Sequence, residues 1–534
     1  MRGFLPFLTL IAVYAFLPLV YATVRTASRA KMKDGKFVVA LAKDYLRTLP
    51  IVGLVSLPAL LFPTTVRPYV IALHLVFALP LLLELGHVHL YGTRVGLNTF
   101  YSVFVSNVRE TREFLKQNVS WIQGLLVVVV WLVPPFALAR LPVPAWGSRT
   151  AQAIGCGAAA LGALAFVRNL LRGDHGKDGY TLNPFSNLIV NYFRFRILYR
   201  KLREQIACHA APPFEGITSS LPADERKTYV IVIGESANAQ HHHYCGYPRE
   251  TNEFTDRLGD SVLRFRGVRS PFAQTIPVLE RVLTFADAAH PELVWQKGSV
   301  VDYFHEAGFK TYWMSNQYAL DDTAITAMTS HADVNKCYNF GGMKRFEKAG
   351  LDGDLLPDFG KFVRDEGRNK VLFLHLIGSH AAYANRYPDS FRHFDGQVPG
   401  RNLPPTKLAA VNAYDDSIRY TDWVVAELIR ELDSVGGVAY LLYFSDHGED
   451  IYDSTEARIL GHGPLANEPM TSVPFMLWTS SRLDELRGDI RARFREAQRS
   501  YGLGDVIHTI LDVSSLSNGD CRLSRSILNP AGKD

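Results

Sequence analysis

Long apolar segments fill the first third of the chain, whereas apolar and polar residues alternate more closely after residue 225. A membrane core about 30 Å thick needs about 20 mostly apolar residues per helix. Segments near that length lie at about 4–23, 46–64, 68–90, 121–139 and 150–171. The first alone would also fit a signal peptide, but the later segments favour a membrane helix. The pattern predicts a transmembrane domain of about five spans over residues 1–172.

Short β-branched and aromatic runs alternate with helical patterns in the C-terminal part, residues 225–534. Strands are predicted at 229–233, 310–314, 371–376, 440–444 and 475–478, and a long helix at 407–434. Such alternation is typical of an α/β domain with a mostly parallel sheet covered by helices on both faces. Because ligands bind beyond the carboxyl ends of parallel strands, we expect active-site residues where these strands end.

Residues 173–224 connect the two parts. The segment 180–205 places aromatic residues and arginines at roughly helical spacing. This spacing fits an amphipathic helix at a membrane surface and equally a helix packed on the soluble domain. The stretch that follows is rich in proline, alanine and serine, which is typical of a linker.

The net charge of the chain is +5, and none of its five cysteines belongs to a C-x-x-C pair. The charge suits a protein beside anionic lipid, and the cysteine spacing disfavours a cysteine zinc site or a thioredoxin motif. No stretch of the sequence resembles a nucleic-acid-binding module, so no nucleic-acid partner is expected. The basic loop at 25–47 should face the cytoplasm by the positive-inside rule, and five spans would then leave the C-terminal domain there too.

Acidic and imidazole side chains follow two of the predicted strands directly. Glu235 comes after the first strand, and Asp446 and His447 come after the fourth. Carboxylate oxygen and imidazole nitrogen are suitable ligands for Zn²⁺. An isolated Asp-His pair is a weak signal, but its place at the end of a buried strand strengthens it.

Further polar residues occupy comparable positions. His380 follows the third strand, Asn316 ends the second, and His462 lies shortly after the Asp-His pair. Each histidine taken alone would more often be a surface or hydrogen-bonded core residue. The run at 241–243 has a metal-like composition, but we expect no ligand there.

A hydroxyl that could act as a nucleophile is present at Thr275, just before a helical pattern with Pro277 near its first turn. The N-terminus of a helix favours negative charge, so an alkoxide and a phosphate could both be stabilised there. The local sequence fits a simple helix cap at least as well.

Taken in order, these residues resemble the phosphoethanolamine transferases of Gram-negative inner membranes, which belong to the alkaline phosphatase and sulfatase superfamily. The resemblance covers nearly the whole chain. Its motifs are VIVIGES ending at Ser236, GYPRETN at 246–252, Thr-x-Pro at 275–277, WMSNQ at 313–317, HLIGSH at 375–380, YDDSIRYTDW at 414–423, SDHGE at 445–449 and GHGP at 461–464.

The resemblance assigns roles to the candidate residues. It implies one tightly bound Zn²⁺, leaves a second zinc ion open, and makes Thr275 the catalytic nucleophile. His380 and His462 match positions that contact the phosphoryl group or a second zinc, and Asn316 matches a substrate-pocket position. The implied zinc ligands are Glu235, Thr275, Asp446 and His447.

The resemblance also implies a reaction and a location. Thr275 would attack phosphatidylethanolamine, release diacylglycerol and carry phosphoethanolamine to lipopolysaccharide or another envelope glycan. The catalytic domain would lie in the periplasm, against the charge of the 25–47 loop, and the enzyme would be a monomer in contact with membrane lipids.

Three other functions fit parts of the sequence. A glycerophosphate transferase of the lipoteichoic acid synthase type also combines five spans with a threonine nucleophile, but GYPRETN and WMSNQ favour the ethanolamine branch. A sulfatase or phosphodiesterase would share the domain, although no C/S-x-P-x-R motif lies near Thr275. An inactive membrane scaffold would not need Glu235, Asp446 and His447 together with that threonine.

Overall fold

The computed structural model describes two parts of the chain. The first comprises residues 66–91, 95–96, 99–100, 103, 108–140, 157, 160, 164, 191–197 and 200. The second comprises residues 214–529 apart from 319–323, 340–349, 368, 455–459, 464–465 and 498–499. The chain divides into two compact units, residues 1–200 and 201–534.

The first unit contains the helices Val66–Tyr91, Val108–Asn118 and Trp121–Arg140. The first and third pack together, and the indole Nε1 of Trp131 donates a hydrogen bond of 3.1 Å to the carbonyl of Leu75. These two helices contain the predicted apolar segments 68–90 and 121–139. Among the described residues, no helix combines the length and the hydropathy of a membrane span.

Several predictions fall on residues that the structure does not describe. They are the apolar segments 4–23 and 46–64, most of 150–171, the basic loop 25–47, and the segment 180–205 except for Arg200 and the helical residues 191–197.

The second unit is built on an eight-stranded mixed sheet. In chain order its strands are β1 Lys227–Gly234, β2 Val262–Arg269, β3 Lys310–Tyr318, β4 Val334–Asn339, β5 Asn369–His375, β6 Val438–Ser445, β7 Ser472–Thr479 and β8 Tyr501–Gly502. Their order across the sheet is β4-β3-β5-β1-β6-β7-β2-β8. Two short strands, Thr218–Ser219 and Leu516–Ser517, form a separate antiparallel pair.

The five predicted strands are all present. Their pairing in the sheet determines which strand ends meet at the candidate site. Strand β1 pairs in parallel with β5 on one side and with β6 on the other. Strand β7 runs antiparallel to both β6 and β2, so the sheet is mixed and only its larger part is parallel. Strands β2 and β4 and the two-residue β8 were not among the predicted strands.

Helices cover the sheet. In the second unit they are Glu253–Asp256, Thr275–Val282, Leu293–Gln296, Val300–Glu306, Ala324–Thr329, Leu356–Arg364, Pro405–Asp433, Glu468–Thr471, Ser481–Leu486, Asp489–Glu496 and Val506–Val513. The long helix Pro405–Asp433, predicted at 407–434, begins with a proline in its first turn, where no backbone donor is needed. Its buried residues Val411, Ile418, Val425 and Leu432 recur every seven positions and form a single stripe facing the interior.

Two glycines allow the backbone to pass closely at the carboxyl end of β1. A side chain at Gly234 would come within 2.8 Å of the hydroxyl of Tyr443 on the neighbouring strand. Gly378, in the loop after β5, has φ +49°, and a Cβ there would lie 2.6 Å from the carbonyl oxygen of Glu235. The end of strand β1 is therefore packed closely against β6 on one side and against the loop after β5 on the other.

A buried ion-pair network ties the turn after β1 to the long helix. The ring of His241 contacts Asp415 through Nδ1 at 2.6 Å and Asp453 through Nε2 at 3.1 Å. Asp415 also accepts hydrogen bonds from Tyr247 and Arg249. Burial alone would lower the pKa of His241, but the charges of Asp415 and Asp453 and the hydrogen bonds to them raise it to about 9. The imidazole thus has a structural role as a paired cation.

This ion pair should make stability depend on pH. Because the pKa of His241 is raised in the folded state, its stabilisation is complete below about pH 6.5 and is lost as the pH rises through about 9. We expect His241→Gln to unfold at a lower temperature than the parent chain at pH 6.5, with a difference that narrows towards pH 10. Thermal unfolding across this range measures the effect. The exposed His243→Gln serves as control, and a difference that is constant with pH would contradict the assignment.

Candidate active site

The carboxyl ends of two adjacent parallel strands, β1 and β6, meet at one buried cluster. Glu235 follows β1, while Asp446 and His447 follow β6, which is its direct neighbour. Gly234 pairs with Ser445, so the residues after them lie side by side. All three side chains are buried, and one potential ligand atom from each lies within 4.8 Å of the others. The structure therefore brings together these three residues, which the sequence predicts at strand ends.

Among the described residues, only one of the two carboxylate oxygens of Asp446 has hydrogen-bond donors. Its Oδ1 accepts hydrogen bonds from the backbone N–H groups of Ser236 at 3.1 Å and His447 at 2.7 Å. Its Oδ2 is buried and has no hydrogen-bond partner among the described residues. A buried carboxylate oxygen without a donor is costly, and a cation would satisfy it. This orphaned oxygen shows that a metal ion fits the cluster.

The ring of His447 is also oriented so that it could bind a metal ion. Its Nδ1 lies 2.9 Å from the carbonyl oxygen of Gly448, which can only accept, so Nδ1 carries the hydrogen of the neutral ring. Nε2 then faces the carboxylates, 3.4 Å from Glu235 Oε1 and 3.5 Å from Asp446 Oδ2, and in the neutral ring its lone pair would be available to a bound cation. A backbone carbonyl behind a histidine is the usual support of a metal-binding imidazole.

The cluster carries concentrated negative charge. Burial and the neighbouring charge of Glu235 raise the pKa of Asp446 to about 7. Burial would also raise the pKa of Glu235, but the hydrogen bond and charge of His447 hold it below its ordinary value. Burial would lower the pKa of His447, yet the charges of Asp446 and Glu235 raise it to about 10. Without a metal ion these negative charges favour a second proton on the imidazole, and a bound cation would take the place of that proton at Nε2.

Thr275 lies at the edge of this cluster. It is the first residue of the helix Thr275–Val282, and the preceding cap residue, Gln274, makes no side-chain capping bond. The Thr275 hydroxyl lies 3.2 Å from Glu235 Oε2 and 3.4 Å from His447 Nε2. Its hydroxyl thus faces the acidic cluster, which distinguishes it from a simple helix cap.

His462 joins the same region through an acidic side chain. Its ring centroid is 4.4 Å from that of His447. Its Nδ1 lies 3.1 Å from Oε1 of the buried Glu449, whose Oε2 pairs with the hydroxyl of Tyr383. Glu449 therefore fixes the orientation of His462 and leaves its Nε2 available for chemistry.

The loop after β5 positions His380. Burial lowers the pKa of this histidine to about 3, although the charge of Glu235 opposes the shift. The loop is held by the buried Arg386, whose Nε donates to the His380 carbonyl at 2.9 Å. Asp352 accepts the N–H groups of Ile377 and Gly378, both at 2.9 Å. These hydrogen bonds fix the backbone of the loop that carries the His380 imidazole.

Asn316 is buried beneath this loop. Its Nδ2 donates to the carbonyl of Gly350 at 3.0 Å and to Asp352 Oδ1 at 2.7 Å. These contacts link Asn316 to the backbone of the His380 loop through Asp352. Its predicted contact with substrate stays a prediction.

Four more residues hold the site together and, like Asp352 and Arg386, were not predicted from the sequence: Ser236, Gln317, Glu449 and Tyr383. Ser236 donates to Glu235 Oε1 at 2.7 Å, and Gln317 Nε2 donates to Glu235 Oε2 at 2.9 Å. Three of the four lie in or beside the motifs quoted above, which is the signal that could have drawn attention to them.

Comparison with known proteins agrees with this geometry. The sulfatase family model matches residues 227–516. The phosphoethanolamine transferase EptC of Escherichia coli K12 is 28% identical over 506 residues, which cover 90% of this chain and 85% of the relative.

Solved structures give the same result. The C-terminal periplasmic domain of E. coli EptC in complex with Zn superimposes with a TM-score of 0.57 at 31% identity, covering 61% of this chain and 92% of that one. The integral membrane phosphoethanolamine transferase EptA of Neisseria meningitidis matches in fold with a TM-score of 0.71 at 18% identity, over 97% of this chain and 98% of that one. These findings confirm the resemblance drawn from the motifs: the chain belongs to the sulfatase family and, within it, to the phosphoethanolamine transferases.

Proposed function

We propose that the protein transfers phosphoethanolamine from phosphatidylethanolamine to a cell-envelope glycolipid or glycan, such as the core or lipid A part of lipopolysaccharide. The observation that carries the proposal is the position of the Thr275 hydroxyl, 3.2 Å from Glu235 Oε2 and 3.4 Å from His447 Nε2. A hydroxyl beside a buried, metal-competent cluster is suited to nucleophilic attack on a phosphodiester.

A zinc ion would be held by Glu235, Thr275, Asp446 and His447. The orphaned Oδ2 of Asp446 and the supported imidazole of His447 favour this ligand set. When bound, zinc lowers the pKa of the threonine hydroxyl and offsets the negative charge of the phosphoryl group. The E. coli EptC domain was crystallised in complex with Zn. A second zinc ion near His380 and His462 remains part of the proposal.

The residues of the chain perform two transfers. First, Thr275 Oγ1 loses its proton and forms a bond to phosphorus, the bond from phosphorus to the diacylglycerol oxygen breaks, and that oxygen takes up a proton. Second, an acceptor oxygen loses its proton and attacks the same phosphorus, the bond to Thr275 breaks, and Thr275 Oγ1 regains a proton. We propose that His462, oriented by Glu449, donates and accepts these protons. His380, whose pKa is lowered by burial, would act in its neutral form, as a proton acceptor or as a hydrogen-bond donor to the phosphoryl group.

The lipid donor explains the layout of the chain. We propose a transmembrane domain over 1–172, a bridging segment over 173–224 and a catalytic domain over 225–534, in the bacterial inner membrane with the catalytic domain in the periplasm. The fold match to an integral membrane protein over 97% of this chain supports this arrangement. We further propose that the enzyme works as a monomer.

The alternative functions have less support. The relatives that match most of the chain are named phosphoethanolamine transferases, which disfavours a glycerophosphate transferase. A hydrolase would use the same cluster, so the fate of the phosphoryl group separates the two reactions.

Replacement of the nucleophile should abolish both products of the first transfer. With fluorescent phosphatidylethanolamine, the parent chain should release labelled diacylglycerol and gain a phosphoethanolamine adduct, detected by mass spectrometry. Thr275→Ala should lower the release by about 10⁴-fold and show no adduct. Thr275→Ser keeps a hydroxyl and should retain part of the activity. Unchanged release by Thr275→Ala would contradict the proposal, and release without any adduct in the parent chain would favour a hydrolase.

Loss of a carboxylate ligand should remove the metal. Asp446→Asn keeps the shape of the side chain but removes its negative charge, so we expect purified protein with less than about a tenth of the zinc of the parent chain. Elemental analysis measures zinc per chain, and chelation followed by zinc addition should remove and restore activity in the parent chain but not in Asp446→Asn. Asp433→Asn, at an exposed position near the end of the long helix, is the matched control. Full zinc content in Asp446→Asn would contradict the ligand set.

A further inference from the structure

Gln317 connects the candidate metal ligand Glu235 to the rest of the site. Its amide Nε2 lies 2.9 Å from Glu235 Oε2 and 2.8 Å from the carbonyl oxygen of Leu376. Both partners are pure acceptors, so both hydrogens of the amide are used and its orientation is determined. The side chain comes from β3, whereas Glu235 follows β1 and Leu376 follows β5.

The pairing of strand β3 is irregular at the position of Gln317. The pairing of β3 with β4 shifts register between Ser315 and Tyr318. Such bulges redirect a side chain and are frequent next to active sites. The backbone at the bulge is secured, because the Gln317 N–H donates to Ser315 Oγ at 3.2 Å and Cys337 Sγ lies 3.4 Å from the Gln317 carbonyl. The amide is therefore presented from a fixed backbone.

Gln317 and Ser236 together fix the carboxylate of Glu235. Ser236 Oγ donates to Oε1 at 2.7 Å, and Gln317 donates to Oε2. Held at both oxygens, the carboxylate cannot rotate freely about its last bond. Oε2 is also the oxygen nearest to the Thr275 hydroxyl, at 3.2 Å. The amide thus acts on the oxygen that the nucleophile faces.

We infer that Gln317 is a positioning residue for Glu235, and that it sets how tightly the site holds zinc. A neutral amide suits this role because it donates to a carboxylate without adding charge or competing for the ion. Partners behind metal ligands commonly contribute about 10- to 100-fold to metal affinity. The inference rests on the proposed zinc role of Glu235.

The test replaces Gln317 by methionine, which keeps the length of the side chain and removes the donor. Zinc affinity of the full chain is measured by competition with a chromophoric chelator. We expect Gln317→Met to bind zinc about 10- to 100-fold more weakly than the parent chain. Gln317→Asn retains an amide on a shorter stem and should fall between the two. The control is Gln397→Met, which also loses an amide contact, here of 3.0 Å to the Leu403 carbonyl, in an exposed loop.

Thermal unfolding with and without zinc separates positioning from a structural role. A positioning residue should leave the metal-free midpoint close to that of the parent chain and reduce the increase caused by zinc. Unchanged zinc affinity in Gln317→Met would overturn the inference, and so would an equal fall of both midpoints at unchanged affinity. Failure of the parent chain itself to bind zinc would overturn the proposed metal site as well, and it would be visible before any variant is compared.

Discussion

The site depends on keeping two buried carboxylates, Glu235 and Asp446, next to each other. Like charges repel far more strongly in a protein interior than in water, so such a pair is unstable without compensation. The parallel pairing of β1 with β6 imposes the proximity, since it places the residues after Gly234 and Ser445 side by side. Backbone N–H groups on one oxygen of Asp446 offset part of the cost. A divalent cation would offset the remainder.

A second layer of polar groups makes this arrangement rigid. Both oxygens of Glu235 and both oxygens of Glu449 have defined donors, and the His380 loop is held by Asp352 and Arg386. Buried polar groups stabilise a fold only when they are satisfied as a network. The groups in direct reach of substrate can therefore stay fixed while the reaction changes their charge.

Much of the fold and part of the site could be predicted from local sequence. The uninterrupted apolar run before Glu235 and the run before Asp446 are typical of central parallel strands, and their ends located the acidic cluster. Strand β4, with the sequence VNKCYN, lies at the edge of the sheet and β2 carries several arginines, so neither has a strong apolar pattern. The direction of β7 depends on pairing that local sequence does not specify. The partnership of Gln317 with Glu235 likewise depends on β3 and β1 being separated by β5 alone in the sheet.

The ligand cluster also constrains the order of events during folding. Ser236 and Asp446, which share a hydrogen bond at the cluster, are 210 residues apart in the chain. The helix Thr275–Val282 lies between them in sequence. An unfolded chain offers no site of this kind, because contacts so distant in sequence form only when the central strands have paired. Metal capture must then be a late step that locks a sheet already assembled. A newly made chain would pass through a metal-free, native-like state, whose lifetime depends on the free zinc concentration around it.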